Sequence, residues 1–404
     1  MDKMRNIYWI AAFFGLLLAS CTLFHKGSES KPAPAMPNYA DSLDLLLRGW
    51  HDQGNLPGFA VAVFSKDTIY YQRGFGYANL ETRQAYTPNT VQMIASVSKT
   101  LIGVALMQAV EAGKLNLDDD INKYLPFRVI HPKYPDSVIR IRHLAMHVSG
   151  IRDSLYYNRS YLFGAALDKN IFSKEWWPLV EVYNRNQPIE MSVFLEKILS
   201  KQGEWYNDDN FYDHAPGAAY EYSNLGATLL AYILERATKE DYRSFTRKRI
   251  LQPLEMRSSS WEKPQKCRKC SAYYLENGNR VPEYRLISYP DGGLYSSVAD
   301  MTKFLQEMIK GFGGEGTILP TRSYHMMMGK QPGGEAFPDG LCWDLSIPCC
   351  IGHAGNDFGT STLMYFEPST GIGRILFANK SLQADSEATF YGIFNDLFRY
   401  DLRK

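Results

Sequence analysis

The 404-residue sequence lacks a surplus of charge of either sign: 44 Lys and Arg face 43 Asp and Glu, a formal net charge of +1. That balance excludes the basic field with which nucleic-acid binders gather phosphates, and the polybasic patch of a peripheral membrane protein. Long apolar runs are missing too. Ile7 to Ala19 is too short to span a bilayer comfortably, and Lys3 and Arg5 before it fit a signal peptide. A metalloprotease motif is also absent. His143 and His147 stand four apart, as zinc ligands on one helical face would, but Leu144 occupies the place of the required Glu. Packed or capping histidines are expected there, no metal is expected, and no cofactor motif is present. Asp118-Asp119-Asp120 reads as a solvated helix start rather than a cation site, because adjacent carboxylates point in different directions.

Apolar residues make up 45% of the chain and charged residues 22%, an ordinary globular composition long enough for a large core and, by length alone, two or three domains. Aromatics at 14%, with 27 Tyr, lean toward an exported handler of carbohydrate or peptide. The apolar run closes in Leu18-Ala19-Ser20-Cys21, which resembles the bacterial lipobox, and His25 to Asn38 follows as a Pro-, Ser- and Lys-rich tether. The expectation is a signal peptide over 1–20, a lipidated Cys21 and tether over 21–40, and an exported chain held at the bacterial cell envelope through its lipid.

From residue 41 onward the pattern is globular. Asp41 to Trp50 has leucines at helical spacing, and Phe59 to Ser65 with Thr68 to Gly74 read as a hairpin around Lys66-Asp67. Val91 to Leu106, VQMIASVSKTLIGVAL, opens a buried helix, and Ser96 and Lys99 at its start lie one turn apart on one face. A hydroxyl becomes a nucleophile when a neighbour takes its proton, and a lysine in an apolar pocket can do so. The same Ser-x-x-Lys at Ser28–Lys31 and Ser260–Lys263 opens no apolar helix and carries no such meaning. Arg140 to Gly150 predicts a further helix, and residues 151–215 read as inserted helices and loops, an aromatic lid or substrate wall. Tyr222-Ser223-Asn224 enters an apolar helix from Leu225, and Val298 to Ile309 predicts another. Ile351-Gly352-His353-Ala354-Gly355 leads into strands Thr360 to Phe366 and Gly373 to Asn379, with an amphipathic helix over Phe390 to Leu402. The sheet is thus assembled from both ends of the chain, with a helical region between.

Ser96-Val97-Ser98-Lys99, Tyr222-Ser223-Asn224 and His353-Ala354-Gly355, in that order, resemble the three motifs of the serine β-lactamase and D-alanyl-D-alanine carboxypeptidase family, on its class C side. VEAGKLNLDD, RHLAMHVSGI, PGAAYEYSNLG, GGLYSSVADMTKF and FEPSTGIGRILFAN extend the similarity over roughly residues 41 to 404. The resemblance implies an α/β fold of the α+β kind, an antiparallel sheet flanked by helices plus an inserted all-α lobe. The sheet lobe would take about 41–90 and 285–404 and the helical lobe about 91–284, with the site between them. It implies Ser96 as acylated nucleophile, Lys99 as its proton-shuttling partner and Tyr222 as the second acid/base. Asn224 would bind the substrate amide, His353 and Gly355 would belong to the substrate-pairing edge strand, and the N–H groups of Ser96 and Asn356 would form the oxyanion hole.

Three departures from the family stand out: His353 where β-lactamases have lysine, the long 151–215 insertion, and five cysteines beyond Cys21. An exported location favours disulfides among Cys267, Cys270, Cys342, Cys349 and Cys350, whereas Cys267-x-x-Cys270 with Cys349-Cys350 offers a zinc or iron set. The odd count leaves at least one thiol unpaired within a monomer. Two functions compete: a serine hydrolase forming an acyl-enzyme on D-amino-acid peptides, esters or β-lactams, and a non-catalytic envelope lipoprotein of the same fold that binds or senses a ligand. The partner in either case is a small molecule or peptide, and intact motifs favour the enzyme.

Overall fold

The computed structural model describes residues 39–264, 267–382 and 384–403. Cys21 and the apolar run before it lie outside the described residues. Among those residues no helix is long and apolar enough to cross a membrane.

A six-stranded antiparallel sheet carries the architecture. Its strands are β1 (Gly58–Phe64), β2 (Ile69–Asn79), β3 (Gln84–Ala85), β4 (Ile351–Asp357), β5 (Thr360–Glu367) and β6 (Ile372–Ala378), in the spatial order β4-β5-β6-β1-β2-β3. The two ends of the chain meet where β1 pairs with β6, Phe59 opposite Ala378 and Phe64 opposite Gly373. Every residue of β1 is buried, so its alternation serves two cores. Phe59, Val61 and Val63 face a cluster with Leu43 and Leu47 of helix α1 (Tyr39–Asp52) and Phe390, Ile393 and Phe394 of the C-terminal helix. Ala60, Ala62 and Phe64 face the larger core.

That core holds the two helices most relevant to the site, α2 (Lys99–Glu111) and α3 (Asn224–Thr238), together with α4 (Val298–Phe312). Both α2 and α3 are buried nearly all round, which is why their sequences are apolar on every side rather than striped. Short ribbons stitch the intervening region: Gln92–Met93 with Tyr295–Ser296, Tyr161–Phe163 with Tyr284–Leu286, and Tyr273–Tyr274 with Arg280–Val281.

Several expected boundaries move. The helix expected over Arg140 to Gly150 covers only Ile141–Ala145, because His147 takes a left-handed φ of 56° and turns the chain away. Ser96 sits in a 3₁₀ turn, Ala95–Ser98, that leads into α2. The C-terminal helix α5 spans Ala384–Asp396 rather than Phe390 to Leu402; beyond it the buried Arg374 draws off the Leu397 carbonyl with Nε at 3.0 Å. The acidic triplet divides its work: Asp118 pairs with Arg142, Asp119 accepts from the Asn116 N–H and Tyr124, and Asp120 caps the 3₁₀ turn Ile121–Lys123. Cys267 and Cys270 form a disulfide, Cys342 and Cys350 are buried thiols, and the exposed Cys349 has its Sγ 2.7 Å from that of Cys350. Among the described residues no group of three or more His, Cys, Asp and Glu side chains is placed to hold a metal ion.

Candidate active site

The Ser96 turn is fastened to the sheet from below. Thr360 and Thr362 of β5 donate their hydroxyls to the carbonyls of Met93 and Ile94, at 2.8 and 2.9 Å. The Ile94 N–H donates to Leu294 O at 2.9 Å. These bonds hold Ala95 at a φ of 47°, a left-handed conformation that costs a non-glycine residue about 1–2 kcal/mol. The kink lifts the next residue, Ser96, out of the core; it is half-buried while Val97 and Ser98 beside it are buried.

Lys99 follows one turn later and is fully buried. Its Nζ lies 3.0 Å from Ser96 Oγ, 2.7 Å from Asn224 Oδ1 and 2.6 Å from the carbonyl of Asp291. Two of these partners only accept. The ammonium can donate to all three, Ser96 Oγ included; once neutral, the amine keeps two hydrogens for the obligate acceptors and frees a lone pair for the Ser96 hydroxyl. Burial pushes the lysine pKa down, opposed by the charges of Asp291, Asp153, Cys342 and Asp357.

Asn224 is held in turn by Asp153. That carboxylate accepts from the N–H groups of Asn224 and Leu225 and from the Asn224 side-chain amide, each at 2.8 Å. It therefore caps α3 and fixes the amide so that Oδ1 faces Lys99. Burial raises the Asp153 pKa against these hydrogen bonds. Asp291 is the other support. Its carbonyl serves Lys99, and its carboxylate accepts from Thr228 at 2.9 Å and Tyr157 at 3.0 Å. Burial raises its pKa to about 7.

Tyr222 lies over Lys99, with Nζ 5.1 Å from its ring centre, and stacks on His147 at 4.3 Å. His147 accepts the Ser223 N–H at Nδ1 and is kept neutral by burial and by Lys99. His143 instead accepts the Arg140 N–H at the start of its own short helix, so the two histidines are not brought together as a ligand pair. The Tyr222 hydroxyl makes no hydrogen bond of good geometry, yet Ser96 is near enough to be the influence drawing its pKa down against burial.

Strand β4 closes the site. Gly352 exchanges both main-chain bonds with Asp344, which fixes the alternation: Gly352, Ala354 and Asn356 turn their main-chain groups away from β5, and β4 is the sheet edge. The Asn356 N–H therefore faces away from β5, on the strand segment that abuts the Ser96 turn at Gly355. Gly355 is required where β4 meets the Ser96 turn, since a Cβ there would stand 2.6 Å from Ile94 O and 3.0 Å from Ser96 N. His353 is 6% exposed and its ring centre lies 6.3 Å from that of Tyr222. Its Nδ1 faces the Ala354 carbonyl at 2.5 Å, which places the proton on Nδ1 and leaves Nε2 an acceptor. Burial and then Lys99 push its pKa to about 4.

The structure thus gathers Ser96, Lys99, Tyr222, Asn224, His353, Gly355 and Asn356 at one place. Sequence reasoning missed Asp153 and Asp291. Asp153 lies just past the RHLAMHVSGI stretch with no motif of its own; Asp291 lay in a Pro-Asp-Gly-Gly segment legible as a turn.

Comparison with known proteins adds family and fold. The family profile described as Beta-lactamase matches residues 43–395. Protein flp of Staphylococcus aureus (strain N315) is 22% identical over 344 residues, covering 83% of this chain. The chain spans 62% of that relative's length, less than two thirds of it. Among solved structures, the octameric penicillin-binding protein homologue from Pyrococcus abyssi superposes with a TM-score of 0.68 at 24% identity, over 90% of this chain and 78% of the other. A class C β-lactamase gives 0.67 at 18% identity, over 90% and 96%.

Proposed function

Because the chain belongs to the Beta-lactamase family, we propose that it is a serine hydrolase working through an acyl-enzyme on amides or esters of the D-amino-acid peptide type. The observation that carries this reading is the Lys99 environment: two obligate acceptors and one hydroxyl, 3.0 Å away, around a buried amine. Ser96 Oγ attacks the substrate carbonyl as its proton passes to Lys99. The carbonyl oxygen takes up charge between the N–H groups of Ser96 and Asn356. Tyr222 hands a proton to the leaving group and later receives one from the deacylating water. Asn224, locked by Asp153, presents its amide to the substrate.

His353 narrows the substrate range. β-Lactams and D-Ala-D-Ala peptides carry a carboxylate, and a neutral imidazole supplies no permanent charge to meet it. The loss of one such contact costs about 2–3 kcal/mol, so weak β-lactamase activity and better turnover of esters or uncharged amides are expected.

The test is intact-mass analysis after exposure to a fluorophosphonate and a β-lactam panel, beside Ser96→Ala. An adduct mapped to Ser96 supports the reading. No adduct at Ser96 with any probe overturns it in favour of a ligand-binding protein of the same fold. Anchoring at the cell envelope through Cys21 belongs to the same proposal: Cys21→Ser is expected to move the protein from the membrane to the soluble fraction, and a variant that still pellets with membranes counts against it.

A further inference from the structure

Beyond Gly355 the edge strand carries Asp357. Side chains alternate along a strand, so Asp357 projects to the same face as Gly355, whose α-carbon abuts the Ser96 turn, and stands about 7 Å further along. His353, with Tyr222 6.3 Å from it, lies in the opposite direction along the strand, and Tyr222 is the proton donor proposed for the leaving group. Asp357 therefore lies on the acyl side of the reacting carbonyl.

Its surroundings are unusual for a carboxylate. It is half-buried, and Oδ1 accepts from the Tyr161 hydroxyl at 3.2 Å and the Phe358 N–H at 2.8 Å. Among the described residues no Lys, Arg or His forms an ion pair with it. Lys99 acts on it only from a distance and is already engaged by Asn224 and Asp291. Next to it, around Phe358, stands an aromatic wall that reaches Asp357 through the Tyr161 hydroxyl. The Phe358 ring lies 5.5 Å from Tyr161, 5.6 Å from Phe163 and 5.9 Å from Trp176, all from the 151–215 insertion, and 6.0 Å from Tyr284. A carboxylate framed by aromatic rings is the chemistry that receives an ammonium or guanidinium group, through charge and through the ring faces. The rest of the site has the same sign: Asp153 lies behind Asn224, and His353 is neutral.

Resting on the serine-hydrolase reading, we propose that Asp357 and the Tyr161–Phe358 wall form an acyl-side subsite for a cationic group, so that the preferred substrates carry an ammonium or guanidinium on the acyl portion. The test uses three p-nitrophenyl esters of one chain length, ending in trimethylammonium, in tert-butyl of the same shape, or in carboxylate. At pH 8 the native enzyme is expected to prefer trimethylammonium over tert-butyl by about tenfold or more in kcat/KM, with carboxylate last, and added salt should shrink the ratio. Asp357→Asn should bring the ratio close to one. Tyr161→Phe, which keeps the ring, should lower it by less. Equal use of the two isosteres by the native enzyme overturns the subsite, as does a ratio indifferent to both salt and Asp357→Asn, while Ser96 acylation leaves the hydrolase reading standing. If no ester turns over and no fluorophosphonate labels Ser96, both readings fall together.

Discussion

The floor of the site and its acyl-side wall are built by different means. The floor consists of the Ser96 turn, Lys99, Asn224 and β4, and it is held by main-chain geometry: a left-handed Ala95, two threonine hydroxyls on carbonyls, a glycine with no room for a methyl. The wall consists of rings at 5–6 Å spacing that meet through apolar area. A floor of this kind tolerates almost no substitution, because each atom serves a bond of fixed length. A wall of rings can exchange members and keep its area. On the proposed reading, chemistry belongs to the floor and selectivity to the wall.

The sharpest break of the floor alone is Ser96→Ala. It leaves the wall intact and is expected to lower kcat by about 10⁴-fold or more, read by single-turnover kinetics with loss of the fluorophosphonate adduct. Unchanged hydrolysis would remove the distinction, because the floor would then hold no nucleophile. Gly355→Ala comes next. Its methyl must displace Ile94 O or Ser96 N, and about 10²- to 10³-fold is expected to go from kcat with the circular dichroism of the fold retained. A near-native kcat would show that the floor yields as easily as the wall. Tyr222→Phe keeps the stacked ring on His147 and removes the hydroxyl; about 10²-fold in kcat, with little change in KM, is the expected result. Full turnover would make Tyr222 a packing residue.

Asp291 is the joint between the two regions, its carbonyl on Lys99 and its carboxylate on Tyr157 of the insertion. Burial raises its pKa from 3.8 to about 7, so the folded state holds this proton more tightly than the unfolded chain does. The favourable contribution is complete below pH 4 and is lost as pH climbs from about 4 to about 7, by at most about 4 kcal/mol. Asp291→Asn cannot ionise. Urea denaturation of the variant, relative to the native protein, is expected to gain about 2 kcal/mol between pH 4 and pH 7.5. A difference independent of pH would mean that the native carboxyl titrates as it does in the unfolded chain.

The floor was legible in the sequence and the wall was not, for a physical reason. Ser96 and Lys99 depend on one helical turn, and Tyr222, Asn224 and Gly355 each stand at the start of an element or on a strand edge, where local spacing decides placement. The hairpin and the return strands could be read from alternation. The insertion offered aromatic composition, but which rings meet depends on how Tyr161, Phe163 and Trp176 lie against Phe358, roughly 180–200 residues on, and no local periodicity encodes that. Asp153 and Asp291 were hidden for the same reason: their partners, Asn224 and Lys99, are distant in sequence. The Arg140 helix was overread because its apolar spacing continues past His147, while the backbone reverses there.

The pairing of β1 with β6 has a consequence in time. A ribosome releases Ser96, Lys99 and Tyr222 long before it releases β4 and, with it, Asn356. Until then the sheet has its first hairpin and no edge beside the nucleophile. At about 5–20 residues per second the interval from Ser96 to β4 lasts roughly 13–50 s. Wherever the chain folds, the pocket around Ser96 is complete only once the last strands have joined the sheet.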